Sequence, residues 1–237
     1  MTWCVTLARM TAVPARLQYR LMRDVMVAAG VLYCTMLLEV AAGFPLNLHD
    51  SFLSELGAKD QPTSSYARAM DLGSGVLLVL AAIIGRPAVR MHRDVGGLLI
   101  SAAVFGVGTM CDAISPMDCA PSLSQACRDA ESSGQTGLAL VLHEATSTLA
   151  GVGSVAMGIF AVLVLRRLGW GGLLGKAIAV LAAGVAATQA WLGIETGIEV
   201  LTGNDLHPPG ILQRVSVLLV CLLMATLLPG LRQAFLR

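Results

Sequence analysis

Charged side chains are scarce in this sequence. They make up 13% of the 237 residues, whereas hydrophobic residues make up 56% and the mean hydropathy is +0.74. An average soluble domain has about 25% charged residues, so this deficit excludes an ordinary soluble domain. Only two lysines occur, Lys59 and Lys176, and the other basic residues are arginines. This usage, with abundant Ala, Gly, Val and Leu, indicates a GC-rich, bacterial genome.

Recognisable catalytic and nucleotide-binding motifs are also missing. The sequence has no G-x-S-x-G element, no phosphate-binding loop and no dinucleotide fingerprint. Neither H-x-x-x-H nor H-E-x-x-H occurs, so a zinc site would have to be assembled from separate segments. The basic residues flank apolar runs, which suits anionic lipid head groups. We therefore expect membrane lipids as partners and no nucleic acid, and the oligomeric state stays open.

Long apolar runs fill most of the chain. Because lipid offers no hydrogen-bond partners, continuous apolar runs of this length predict membrane-spanning helices. The runs are Asp24–Leu46, Ala67–Ala88, Gly96–Ile114, Leu138–Leu165, Ala177–Leu201 and Ile211–Leu231. We expect an all-α bundle of six transmembrane helices over residues 24–237, after a basic N-terminal segment at 1–23. A cleaved signal peptide is the less favoured interpretation, because the first run is too long and no A-x-A site follows it.

The basic residues predict the orientation of this bundle. Lys and Arg concentrate in cytoplasmic segments. Here they cluster in the N-terminal segment, in the connections after the second and fourth runs, and at the C-terminus. The opposite side carries Lys59, Arg68, Arg128 and Arg214. Both termini are therefore expected in the cytoplasm of a bacterium, with the protein in its cytoplasmic membrane.

Two cysteines share the long polar loop after the third run. Cys119 and Cys127 lie on the side predicted to face outward, where disulfides persist. A bridge between them would pin a segment that has little to pack against. Spacing alone leaves the alternative of two free thiols open.

Histidines and carboxylates gather on the same predicted outer side. His49, His143 and His207 could supply ligands to a metal such as zinc, because imidazole and carboxylate are its usual ligands. The alternative is that these are hydrated groups at the ends of helices.

Three carboxylates stand out within the runs, one in the first run and two in the fifth. Glu39 lies well inside the first run, where a carboxylate is costly unless paired, and Arg214 is its candidate partner. The pair could bind a ligand or only fix packing. Glu195 and Glu199 share one helix face at i, i+4, which suits an acid–base pair or an interfacial face beside Trp191.

A third group combines His143 with two neighbouring runs. His143 and Ser147 stand one turn apart, and Asp112 ends the third run just before Pro116. His143 with Asp112 or Glu195 could perform acid–base chemistry. A single satisfied hydrogen bond for His143, and a capping role for Asp112, are the simpler alternatives.

We expect the polar stretch Leu46–Asp71 to lie over the outer end of the bundle and to cover a pocket there. Within it Ser54 and Glu55 can bind a ligand or cap a turn, and Gly57 permits a turn.

Several short elements resemble a known family. They are SELGAKDQPTSSYARAMDLGSG after the first run, DAISPMDCAPSLSQAC after the third and LHEATSTLAG in the fourth. In this order they resemble the bacterial six-helix membrane family catalogued as domain of unknown function 998, over about Val25–Leu231. The resemblance implies six helices and a membrane location, and no established activity. The matching positions are Ser54, Glu55, Leu56, Gly57, Asp112, Pro116, Cys119, Cys127 and His143.

The sequence leaves two functions open. The first is a membrane protein with an outward-facing polar pocket that binds a lipid or small amphipathic ligand, or supports a membrane complex. The second is a membrane-embedded hydrolase or transferase that acts on a lipid-linked substrate. Transport is less favoured, because neither broken helices nor internal symmetry is evident in the sequence.

Overall fold

Helices account for almost all of the regular structure. The computed structural model describes residues 15–90, 92–133, 137–169, 172–202 and 209–232, and no β-strand occurs in these ranges. The helices are α1 (Ala15–Tyr33), α2 (Met36–Ala41), α3 (Ser64–Gly85), α4 (Arg93–Ile114), α5 (Gln125–Ser132), α6 (Gly137–Leu168), α7 (Gly172–Thr202) and α8 (Gly210–Gly230). Short 3₁₀ turns lie at Leu53–Gly57 and Arg86–Arg90. The all-α prediction is confirmed.

Five helices of the described part are long and apolar enough to cross a membrane. The spans are Ser64–Ala88, Arg93–Ile114, Leu138–Leu168, Gly172–Glu195 and Gly210–Gly230. They correspond to the second to sixth apolar runs, with ends that differ by a few residues. The chain is therefore a multi-pass membrane protein, as the scarcity of charge predicted.

The first apolar run has a different form from the prediction. Helix α1 begins at Ala15, so it takes in basic residues assigned above to the segment 1–23, of which residues 1–14 lie outside the described ranges. The helix breaks after Tyr33, where the amide of Thr35 donates to the Tyr33 carbonyl over 2.8 Å, two residues back instead of four. The charged start and this break exclude the first run from the five spans.

Helix α2 ends in a left-handed turn. Gly43 has a φ of +75°, a conformation that a residue without a Cβ adopts freely. Phe44 follows with a φ of +57°, so two successive left-handed residues turn the chain away from the bundle axis. The polar stretch that follows therefore lies across the ends of the helices.

The helices form a ring in chain order. Helix α1 packs against α3, α3 against α4, α4 against α6, α6 against α7, and α7 against α8, and α8 returns to contact α1. Apolar side chains fill the interior, among them Met26, Phe105, Met157 and Met224, each at most 1% exposed. Gly75 of α3 lies beside Gly106 of α4 and Gly85 beside Leu99, so these neighbouring helices run in opposite directions. The two ends of the ring carry different loops.

Small residues allow the closest helix contacts. A Cβ built on Gly75 of α3 would lie 2.5 Å from the Gly106 carbonyl of α4, and one on Gly108 would lie 2.6 Å from the Ala150 amide of α6. Side chains larger than hydrogen at Gly75 and Gly108 would push α4 away from its two neighbours. Helix backbones in membranes associate through such positions.

One end of the ring, which we call the basic face, carries the starts of α1, α4 and α7. There Asp94 is 7% exposed, and Arg167 at the end of α6 donates to it. The His92 imidazole caps α4 by accepting from the Asp94 amide over 3.0 Å. The other end, which we call the loop face, carries residues 42–63 and 115–124 and the starts of α3, α6 and α8.

Candidate functional site

Asp112 and His143 meet at the loop face. Asp112 lies two residues before the end of α4, and His143 is the seventh residue of α6, about 9 Å along that helix. The imidazole Nδ1 lies 3.1 Å from Asp112 Oδ1. Both side chains are largely enclosed, at 11% and 18% exposed. The structure thus brings together two of the three residues that the sequence suggested for acid–base chemistry.

Two hydroxyl groups complete the surroundings of this carboxylate. Thr146 Oγ1 donates to Asp112 Oδ1 over 2.9 Å, and Ser147 Oγ donates to the same atom over 2.8 Å. Ser147 lies one turn after His143, so the shared face inferred from the sequence is confirmed. Because Ser147 donates to Asp112 and not to His143, no hydroxyl in the described part of the chain is aligned with this pair as a nucleophile.

The histidine is not fully satisfied by this contact. Its Nδ1 has no hydrogen-bond partner of acceptable geometry among the described residues, although Asp112 lies within ion-pair distance. The residue is 9% exposed, so water does not readily compensate this atom. The Asp112 carboxylate, 3.1 Å away, is therefore the main electrostatic partner of this imidazole.

Asp71 lies on a helix that packs against α4. It occupies α3, one turn after Arg68, whose Nε donates over 2.8 Å to the carbonyl of Ala113, the residue after Asp112. The start of α3 therefore lies beside the end of α4 at this end of the bundle. Tyr33 of α1 packs edge-on against Phe105 of α4, with ring centroids 5.0 Å apart.

Glu195 belongs to a different contact. Trp191 Nε1 donates to Glu195 Oε1 over 2.7 Å, one turn apart on α7, which confirms their shared face. Glu195 Oε2 is buried and has no hydrogen-bond partner in the part of the chain described. No hydrogen bond joins Glu195 to Asp112 or His143 in that part either. The Glu199 side chain lies outside the described residues.

Arg214 forms an ion pair with Glu39 of the first apolar run, as predicted. Its Nε donates to Glu39 Oε2 over 2.9 Å, and its Nη2 donates to the other carboxylate oxygen. The third nitrogen, Nη1, donates to the carbonyls of Ser51 and Gly210 over 2.8 and 3.0 Å. With these partners all three guanidinium nitrogens donate inside the protein, so packing of the loop is the role that its geometry supports.

The segment after α2 fits closely on the start of α8. A Cβ built on Gly210 would lie 2.6 Å from the carbonyl oxygens of Leu48 and Ser51. The Gly210 amide also donates to the His49 carbonyl over 3.0 Å. This contact explains why the last helix begins with a glycine.

Glu55 joins the two loops of this face, which we call the loop cap (residues 46–63 and 115–124). Its Oε1 accepts from the Phe52 amide over 2.9 Å, and its Oε2 accepts from the Ser122 amide and hydroxyl over 3.0 and 2.5 Å. The residue is 1% exposed. Burial raises the pKa of the Glu55 carboxyl above its usual range, although the Ser122 and Phe52 hydrogen bonds oppose that effect.

The two residues before Glu55 hold the loop cap through their backbone amides. The amides of Leu53 and Ser54 both donate to the Gln213 side-chain oxygen on α8. Ser54 and Glu55, which the sequence suggested as ligand-binding or capping residues, are thus engaged in holding the loop cap to the bundle.

A disulfide closes the second half of the loop cap. Cys119 and Cys127 are bonded, so the pairing suggested by their position is confirmed. Ser122 lies within the closed loop, and both carboxylate oxygens of Asp60 accept from the Ala120 amide over 3.2 Å. The disulfide therefore fixes the segment on which the Glu55 contact depends.

The described residues contain no group of three or more His, Cys, Asp or Glu side chains arranged to hold a metal ion. His49 is exposed in the loop cap. His207 lies outside the described residues. Zinc ligation by His49, His143 and His207 therefore stays a prediction.

Some residues of this face were not anticipated. The sequence pointed to Asp112 and His143 but not to Thr146, which stands at i+3 from His143 and shares its face. Ser122 and Gln213 were missed as partners of the segment 53–55 because each lies far from it in the chain. Helical spacing could have suggested Thr146, but no local signal identifies the other two.

Comparison with known proteins gives one family. The family model described as "Protein of unknown function (DUF998)" matches residues 26–228, which include every helix from the body of α1 to nearly the end of α8. No curated protein and no solved structure shows a significant match.

Proposed function

The chain belongs to the family described as Protein of unknown function (DUF998), and we propose that it binds the polar head group of a lipid or small amphipathic molecule at the Asp112–His143 pair. The protein spans the bacterial cytoplasmic membrane six times, with both termini in the cytoplasm and the loop cap outside. The contact of 3.1 Å between His143 Nδ1 and Asp112 Oδ1 carries the proposal.

The position of α1 supports a sixth span. It packs between α3 and α8, two helices that are long and apolar enough to cross a membrane, and so closes the ring. After Asp24, the only charged residue of the first run is Glu39, whose charge Arg214 balances. The break at Cys34 and Thr35 interrupts the helix, but it does not remove its second part from the bundle.

The distribution of charge supports the orientation. Arginines at the start of α1, around the 3₁₀ turn Arg86–Arg90 and at the end of α6 all belong to the basic face. Such residues concentrate on the cytoplasmic side. The disulfide in the loop cap fits the opposite, oxidising side.

The chemistry of the pair supports a binding site. Ionisable groups inside a membrane bundle are costly, and they mark functional positions by default. Asp112 accepts from hydroxyl groups and faces His143, whose Nδ1 lacks a well-formed hydrogen bond. A polar head group would supply that partner, and the exposed apolar side chains of the first turns of α6, such as Leu138 and Leu142, would contact its acyl chain.

The remaining ligand-binding candidates take a supporting part in this proposal. Glu39, Glu55 and Arg214 are buried and have internal partners, and Ser54 is held through its amide. They keep the loop cap over the loop face. Glu199 stays a candidate for ligand contact on α7.

A hydrolase or transferase acting on a lipid-linked substrate is the second candidate. It is favoured by the orientation of His143, because a carboxylate beside an imidazole suits a general base. Asp112 would position and charge-stabilise His143, and Glu195 would have to approach them. A zinc ion held by His143 and the two other histidines would be an alternative route to the same chemistry.

The test is a comparison of bound amphiphiles. The full chain is purified in a maltoside detergent, exposed to a bacterial lipid extract and examined by native mass spectrometry. We expect wild type to retain a lipid-like molecule, His143→Asn to lose most of it, and His92→Asn, which keeps a capping side chain on the basic face, to behave as wild type. Equal retention by all three proteins would overturn the proposal. Conversion of a lipid by wild type and not by His143→Asn would identify the enzyme, and metal analysis of the same samples would test zinc.

A further inference from the structure

The two carboxylate oxygens of Asp112 have different surroundings. Oδ1 accepts from the Thr146 and Ser147 hydroxyls over 2.9 and 2.8 Å, and it lies 3.1 Å from His143 Nδ1. Oδ2, by contrast, accepts from no donor in the described part of the chain. An ionised carboxylate accepts hydrogen bonds on both of its oxygens. Oδ2 is therefore the oxygen that is left to accept from a donor outside the chain.

Ser147 offers a second acceptor beside Oδ2. Its hydroxyl donates its single proton to Asp112 Oδ1, so the lone pairs of Oγ stay available, and the residue is exposed on α6. Ser147 Oγ lies 2.8 Å from Oδ1, and the two oxygens of one carboxylate are about 2.2 Å apart. The separation between Ser147 Oγ and Asp112 Oδ2 is therefore at most about 5 Å, which donors on adjacent atoms of one ligand can bridge.

Arg68 supplies donors at the same end of α4. Its Nε donates to the Ala113 carbonyl over 2.8 Å, and its Nη1 and Nη2 have no hydrogen bond or ion pair with the described residues. Because Ala113 follows Asp112 directly, covalent geometry places the guanidinium no more than about 10 Å from the Asp112 carboxylate. Asp112 is therefore not an isolated negative charge, and this end of the helix offers free donors as well as free acceptors.

The available donors and acceptors discriminate among head groups. An ammonium group has donors but no acceptor for Arg68, and a fully ionised phosphate or carboxylate has acceptors but no donor for Asp112. A hydroxyl group both donates and accepts. At Oδ1 the Asp112 carboxylate is already stabilised by two neutral hydroxyl donors, and the same kind of donor fits Oδ2.

We propose that the head group bound at this site is neutral and carries hydroxyls on two adjacent carbons, as a glycerol or sugar head group does. One hydroxyl donates to Asp112 Oδ2 and the other to Ser147 Oγ, and their oxygens are free to accept from Arg68. The inference rests on the proposed function and names its ligand class.

A zwitterionic head group is the competing explanation. Its ammonium group would donate to Asp112, and its phosphate would accept from Arg68. The two explanations differ in whether the ligand must carry charge, and ligands that share one alkyl chain separate them.

The test compares an alkylglycerol, its dimethyl ether and an alkylphosphoethanolamine of one chain length. The full-length protein is exchanged into a polyoxyethylene ether detergent, because a maltoside itself carries neighbouring hydroxyls, and binding is followed by microscale thermophoresis. We expect wild type to bind the alkylglycerol about tenfold or more tightly than the dimethyl ether, which cannot donate, and more tightly than the phosphoethanolamine. Free glycerol at the same concentration should not displace the alkylglycerol, because it lacks the apolar chain.

Three variants locate the contacts. Asp112→Asn should reduce the preference for the alkylglycerol over its ether to within about twofold, and Ser147→Ala should reduce it at least about threefold. Thr148→Ala removes an exposed hydroxyl from the next residue of α6 and should keep the wild-type preference. Thermal melting shows which variants are folded, and the exposed Ser147 carries the test if Asp112→Asn is not.

Each remaining outcome contradicts a specific part of the account. Equal binding of the alkylglycerol and its ether to wild type, with both lost in His143→Asn, would overturn the hydroxyl contacts and leave head-group binding intact. Tighter binding of the phosphoethanolamine would overturn the neutral head group, and displacement by free glycerol would overturn the amphipathic ligand. An unchanged preference in Ser147→Ala would overturn the contact with Ser147. Identical binding of every ligand to wild type and His143→Asn would overturn the proposed function itself.

Discussion

Arg214 and Glu39 form a buried ion pair between residues 175 positions apart in the chain. Their side chains are 7% and 2% exposed. The guanidinium also donates to loop carbonyls, so this single side chain joins the end of α2, the loop cap and the start of α8. The pair therefore ties α2, near the start of the described chain, to α8, its last helix, at the loop face.

Removal of one member of this pair should be strongly destabilising. Glu39→Gln leaves the guanidinium buried with its charge uncompensated, and breaking a buried pair costs about 3–5 kcal/mol. We expect a clear fall in the melting temperature in maltoside micelles. The exposed pair Lys59–Asp118 provides the control, because Asp118→Asn should cost less than about 1 kcal/mol. If both variants melt alike, the pair does not stabilise the loop face.

Gly210, the first residue of α8, gives a second prediction. Gly210→Ala would place a methyl group 2.6 Å from the carbonyl oxygens of Leu48 and Ser51, so the loop must move away. We expect a loss of about 1–3 kcal/mol in stability, as for overpacked interiors. Gly193→Ala is the matched control, since its methyl group meets no described atom within 4 Å and alanine favours a helix. A Gly210→Ala protein as stable as Gly193→Ala would contradict the close fit.

The pH dependence of the loop cap should follow Glu55. Burial raises the pKa of this carboxyl, so the folded protein holds its proton more tightly than the unfolded chain does. The associated stability is present below the ordinary value of about 4.3 and is lost as the pH rises through the raised pKa. We expect the melting temperature of wild type, relative to Glu55→Gln, to fall as the pH is increased from about 4.3 towards neutrality. Parallel pH profiles for the two proteins would show that Glu55 does not titrate with folding.

The disulfide should stabilise the contact between Glu55 and Ser122. Loss of the bridge in Cys119→Ser/Cys127→Ser frees a short loop, and the chain-entropy model gives a cost of about 2.5 kcal/mol. Because Ser122 lies within this loop, its hydrogen bonds to Glu55 should weaken as well. Glu55→Gln should then cost less in the double serine variant than in wild type, which a double-mutant cycle measures. Additive effects would mean that the bridge and the Glu55 contact are independent.

Five spanning helices followed from the sequence because their signal is local. A continuous apolar run of this length needs no knowledge of its neighbours, and the runs from Ala67 to Leu231 lie within a few residues of α3, α4, α6, α7 and α8. The break at Cys34 and Thr35 was missed, since neither proline nor glycine marks it.

Some residues of the site could be predicted from the sequence, but most of the contacts between them could not. Charge complementarity was enough to pair Glu39 with Arg214, because each is an isolated charge at a similar depth. The partners of Glu55 and Ser54, by contrast, are Ser122 and Gln213, which are ordinary polar residues far away in the chain. Their roles depend on the fold of two loops, for which the sequence offers no periodic pattern.

The proposal that a polar head group binds at Asp112 and His143 is tested most directly by native mass spectrometry of the full chain after exposure to a bacterial lipid extract. Wild type and His92→Asn should carry the same bound amphiphile, and His143→Asn should carry little of it, because the substitution removes the imidazole that faces Asp112. Equal amounts of that molecule on His143→Asn and on wild type would contradict the proposal.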